Sequence, residues 1–144
     1  MPLDDPSMLD HARDLAIAYA LAFPIGWDRE REDRSAGLRT FPLVAIAACG
    51  FLQAASEVVR DDPQAVARIL EGLITGIGFI GAGAIIRSGR HVHGTATAAG
   101  LWTTAAIGAA CALGAYEVAV VLAVATVATL RGLRVFKEDR DASR

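Results

Sequence analysis

The chain has 144 residues, 14 basic and 16 acidic, for a formal net charge of −2. Hydrophobic residues make up 53%, and the 14 glycines lift the apolar-plus-glycine share to about 63%, against roughly 45–50% in soluble domains. This composition excludes a disordered chain and a dedicated nucleic-acid binder, and two cysteines exclude a disulfide framework.

The placement of the charges says more than their number. Residues 1–39 hold 13 and residues 131–144 hold 8, which leaves 9 for the 91 residues between. That is about one in ten, against roughly one in four on average. So few charges cover a water-exposed surface poorly, whereas a lipid-exposed surface needs none.

The first apolar run, 15–27, extends back to a helix over about 10–27. Its acidic start (Asp4, Asp5, Asp10, Asp14) differs from the basic start of a signal peptide, so it is kept as a helix. Pro24 is expected to kink or end it. A charged loop over 28–39 follows. The second run predicts a helix over 40–58, with Thr40 as its cap and Arg39 among lipid headgroups. The third predicts 68–87, the fourth 95–114 and the fifth 117–136. Residues 94–130 carry a single charge, Glu117, and would span about 55 Å as one helix, too long for one crossing. Gly114 through Glu117 is the expected turn, since glycine breaks helices and Tyr116 suits an interface.

A spanning helix needs about 20 apolar residues. The expected architecture is therefore all-α: one domain over 1–144, a polytopic membrane protein of about five transmembrane helices. The loops at 28–39 and 87–93 and the C-terminal segment hold 11 Lys and Arg, against 3 on the other side. The positive-inside rule then puts the N-terminus outside and the C-terminus in the cytoplasm.

Gly76-Ile77-Gly78-Phe79-Ile80-Gly81 matches G-x-G-x-x-G. A dinucleotide site also needs a preceding strand and an acid about 20 residues on, and neither is present. A helix-packing surface fits better: Gly72 and Gly76 form G-x-x-x-G, Gly83 continues that face, and Gly78 and Gly81 add a second strip. The fourth span repeats small residues at Gly94, Thr97, Ala98 and Gly108. Trp102, deep in that span, is expected against the glycine-rich third helix.

Glu71 opens the third span with Arg68 three residues earlier, a spacing that favours an ion pair. A cation site from Glu57, Asp61, Asp62 and Glu71 is the alternative, with Asp62 and Glu71 as its candidate ligands; Mg2+ would be held loosely, because it keeps most of its waters. His91 and His93 read as a loop pair, and Cys49 and Cys111 as small buried hydrophobes. No nucleophile–base pair has a recognisable context, so the chain reads as non-enzymatic.

Three blocks resemble the MgtC/SapB family of bacterial inner-membrane proteins. The first is Gly26-Trp27-Asp28-Arg29-Glu30, then Ala36-Gly37-Leu38-Arg39-Thr40. The second is Arg68 with residues 76–85. The third is residues 94–102, ending Gly100-Leu101-Trp102. Asp28 stands where the family usually has Glu, Gly72 where Gln is common, and Glu71 where a small residue is common. The resemblance implies a multi-pass protein of the inner membrane, linked to magnesium homeostasis, low-Mg2+ adaptation and, in pathogens, intracellular survival. It implies a non-enzymatic regulator that contacts other membrane proteins, such as the F-type ATP synthase or a cation pump. A Mg2+ or other cation transporter using Asp28, Asp62 and Glu71 is the alternative. The polar residues of the family motifs are Asp28, Arg29, Arg39, Thr40 and Arg68. Beyond a possible Mg2+, no cofactor is implied, and self-association stays open. Larger family members add a C-terminal regulatory domain, which this chain is expected to lack.

Overall fold

The computed structural model describes residues 6–32, 36–59, 62–88 and 91–142. Five helices dominate: α1 (Pro6–Glu30), α2 (Thr40–Val58), α3 (Pro63–Gly83), α4 (Thr95–Ala112) and α5 (Tyr116–Ala142). All five expected helices are present. A two-stranded antiparallel hairpin, β1 (Ile86–Ser88) and β2 (His91–His93), joins α3 to α4 and pairs Arg87 with Val92. The expected loop pair of histidines is therefore a strand.

Helix α2 has its expected bounds, and the other four differ from expectation at one end or both. Helix α1 runs through Pro24 to Glu30, so Pro24 does not end it. Helix α3 begins earlier because Asp62 caps it, accepting from the backbone N–H of Gln64 and Ala65 at 3.0 and 3.1 Å, with Pro63 at the first helical position. Thr40 is the first residue of α2 and not its cap. Arg39 holds the cap position without a side-chain bond, and the Gly37 carbonyl accepts from the N–H groups of Thr40 and Phe41.

The turn expected at Gly114 is a Schellman motif. Gly114 is left-handed (φ +70°), its N–H reaches the Cys111 carbonyl, and the Ala115 N–H reaches that of Ala110 at 2.8 Å.

Helix α4 is the hub, packed on α1, α2, α3 and α5. Its Thr97, Leu101, Thr104, Ala105, Ile107 and Cys111 are all buried. Burial round most of its circumference marks a central helix, with Ala96, Ala99 and Trp102 left on its one exposed face. Close approach comes from small residues: a Cβ on Gly108 would overlap the Ala45 carbonyl oxygen, and one on Gly100 would sit 3.1 Å from the buried Phe41 ring. Thr126 of α5 meets Thr103 of α4 at 3.1 Å, a hydroxyl contact between neighbouring helices. Helix α3 stands at the margin, on α4 and to a lesser extent α2, with only Ile77 and Gly81 buried.

Candidate functional site: two polar ends and an exposed glycine face

One end of the bundle is organised by Asp28, near the end of α1. Its carboxylate is buried and accepts from Arg29, also buried, and from Arg131 Nε of α5 at 3.1 Å. Burial alone would raise the Asp28 carboxyl; the two guanidinium groups outweigh it and hold the group below the usual carboxylate range. Nearby, the Glu30 carboxylate accepts from the Leu38 backbone N–H at 3.0 Å. Gly26 lies against Gly37 and Leu38, where a Cβ would come within 3.2 Å of backbone. The first family motif thus folds its acids and glycines into a closed α1–α2 turn.

The opposite end is organised by Asp14. The Tyr116 hydroxyl donates to Asp14 Oδ1, Arg13 donates to both Asp14 and Tyr116, and Gln53 Nε2 donates to Asp14 Oδ2 at 3.3 Å. Gln53 also donates to the His11 carbonyl at 3.2 Å. Hydrogen bonding to the Asp14 carboxylate raises the Tyr116 phenol, and the Asp14 charge adds to the effect. Helix α1 meets the start of α5 at Asp14 and its interior at Asp28, so the two helices run in the same direction.

Asp28 and Arg29 come together as the motif suggests, but their third partner is Arg131, which carries no local motif. Arg39 is exposed and joins neither. Arg68 and Glu71 are both exposed, and among the described residues no ion pair links them. Two mobile exposed side chains gain too little in high dielectric to hold one geometry.

The candidate cation ligands do not assemble. Asp62 spends Oδ1 on capping, and Glu71 lies nine residues along α3, about 13 Å away. Among the described residues no group of three or more His, Cys, Asp or Glu is placed to hold a metal. Asp61 and the Glu57 side chain lie outside the described residues. Among the described residues, no set of donors fits a bound Mg2+.

The G-x-G-x-x-G segment lies inside helix α3, not in a strand–turn–helix. Of the α3 glycines, only Gly81 packs within the chain, with a Cβ position 3.6 Å from the Ala98 carbonyl oxygen. Gly72, Gly76, Gly78 and Gly83 face open space. The packing expected there falls instead on Gly100 and Gly108 of α4. Thr97 is buried. Trp102, half exposed, borders a cavity of about 310 Å3 with Leu70, Leu73 and Ile77, beside α3's aliphatic residues and away from its open glycines.

The MgtC family model matches residues 15–139. The Protein MgtC of Salmonella typhimurium (strain LT2) is 41% identical over 110 residues, covering 76% of this chain and 46% of its own. The Protein MgtC of Brucella abortus (strain 2308) is 42% identical over 122 residues, covering 83% of this chain and 50% of its own. The chain spans about half the length of these curated relatives. No solved structure matches. Matched over most of its length, with the Asp28–Arg29 turn and the glycine-rich third helix inside the matched region, this chain belongs to the MgtC family.

Proposed function

We propose that this chain is a membrane-embedded domain that crosses the bacterial inner membrane five times, N-terminus outside, and acts without chemistry of its own. It works as a regulator linked to magnesium homeostasis, by contact between α3 and a helix of another membrane protein. The observation that carries this reading is α3 itself. Among the described residues it is the one helix both long and apolar enough to cross a membrane, yet nearly all of it lies outside the core. It presents Gly72, Gly76, Gly78 and Gly83 bare, and backbones approach closely in lipid where side chains are absent.

The rest of the surface supports a lipid environment. Tyr19, Phe23 and Trp27 form an outward ladder on α1 with ring centroids 6.3 and 6.0 Å apart. Phe79, Phe51, Val121 and Val124 are more than half exposed on three other helices. Apolar surface on this scale is unusual in water. The link to magnesium rests on the family resemblance.

The test is site-directed photocrosslinking from α3 in whole cells, with and without Gly76→Leu or Gly83→Leu. Loss of the crosslinked partner from variants that still insert supports the reading. Undiminished crosslinking in both variants refutes it.

A further inference from the structure

We propose that the groove between α2 and α3 is a lipid site that takes one acyl chain of an anionic phospholipid and holds its phosphate on Arg39. The groove encloses about 770 Å3, within the roughly 300–1,000 Å3 of built ligand pockets. Leu43, Phe51, Gly72, Leu73, Gly76 and Ile80 line it, so the tail occupies the Gly72–Gly76 strip until the partner helix proposed above displaces it, and its polar lining is confined to Arg39 and Thr40 at one end. This is the polarity pattern of a phospholipid: a charged head at one end and a hydrocarbon tail along the rest.

The dimensions suit a tail. The α2 lining runs from Thr40 to Ala55, about 22 Å along the axis. One leaflet's hydrocarbon is about 15 Å deep, half of a ~30 Å core, so a tail entering beside Arg39 fits lengthwise.

Charge favours an anion. Arg29 and Arg131 are committed to Asp28, and the neighbouring Glu30 carboxylate is committed to the Leu38 N–H. The Arg39 guanidinium is exposed and has no ion pair among the described residues. A basic residue beside an interhelical apolar pocket on the cytoplasmic side is a recognition element for acidic headgroups.

The test uses the full chain reconstituted in phosphatidylcholine vesicles, with Trp27 and Trp102 replaced by Phe and Phe51→Trp as the reporter in the groove. Brominated phosphatidylglycerol or brominated phosphatidylcholine, whose acyl bromines quench tryptophan on contact, is titrated in. The expected result is an about fivefold preference for the brominated phosphatidylglycerol, the scale of one arginine beside an anionic headgroup. The preference should vanish in Arg39→Gln and persist in Arg39→Lys. Should Phe51→Trp not fold, Leu43→Trp reports from the same groove. Equal quenching by both lipids, or a preference that Arg39→Gln leaves intact, overturns the proposal. Quenching by neither lipid means that protein, such as a second copy, fills the groove, and overturns it equally. None of these readouts depends on a partner protein.

Discussion

Asp28 and Arg131 stand 103 positions apart and meet at 3.1 Å, joining the first helix to the last. Arg29 completes the triad from the adjacent position, with its side chain only 6% exposed, whereas that of Arg131 is 55% exposed. The two arginines therefore differ in weight. Asp28→Asn leaves a buried guanidinium uncompensated and should destabilise the protein by about 3 kcal/mol. Arg131→Gln breaks a half-exposed pair and should lose no more than about 1 kcal/mol. Thermal unfolding in detergent micelles should show the larger fall in midpoint for Asp28→Asn.

The same carboxylate sets an acid limit. A group whose folded pKa lies below its usual 3.8 adds stability that is fully present above that value and is lost as pH falls through the lower folded value. Unfolding midpoints should therefore drop below about pH 4, and Asp28→Asn should flatten that segment of the curve.

Tyr116 predicts an effect at the other end of the pH scale. Its phenol is raised above the usual 10.0, so its contribution is complete below pH 10 and is lost as pH rises through the folded value. Tyr116→Phe removes the donor to Asp14 and should lower the unfolding midpoint at neutral pH. The variant's alkaline stability loss should be shallower than that of the parent, measured between pH 9 and 11 in the same micelles.

Two sets of glycines should respond oppositely to one methyl group. Gly108→Ala drives a Cβ into the Ala45 carbonyl and should cost about 2–3 kcal/mol as α2 and α4 separate. Gly72→Ala and Gly83→Ala meet open space within α3 and should be neutral or stabilising by up to about 1 kcal/mol, because alanine is the better helix former. Chemical denaturation in mixed micelles separates the two outcomes.

The proposed five-crossing arrangement makes a labelling prediction. With Cys49 and Cys111 replaced by Ala, a membrane-impermeant maleimide added to intact spheroplasts should label Gln64→Cys before α3 and spare Arg87→Cys after it. Both positions are exposed. Labelling of Arg87→Cys alone would invert the orientation, and equal labelling of both would remove the α3 crossing.

The helices were legible in the sequence because long uncharged runs broken by charge, glycine and proline carry their own boundaries. Gly114 was expected to turn the chain and does, since only a left-handed position closes α4 this tightly. The Asp62-Pro63 start of α3 is equally readable as a capping signal, but it lies six residues before the expected start at Arg68, because the charges at Arg68 and Glu71 interrupt the apolar run. The hairpin at 86–93 was missed because three-residue strands have no periodicity to detect. The Asp14–Tyr116–Gln53 and Asp28–Arg131 contacts were beyond reach for another reason: each joins residues on different helices, and no spacing along the chain encodes such a meeting. The open face of the α3 glycines was hidden likewise, because a small-residue pattern has the same period whether it faces its own bundle or something else.

Helix α1 carries its two organising acids, Asp14 and Asp28, fourteen residues apart, or about 21 Å. A hydrocarbon layer is about 30 Å thick. On the five-crossing reading proposed above, so short a spacing makes the lipids beside α1 compress or tilt, and that deformation carries an elastic penalty for every angstrom of mismatch. Neighbours with equally short spans relieve it.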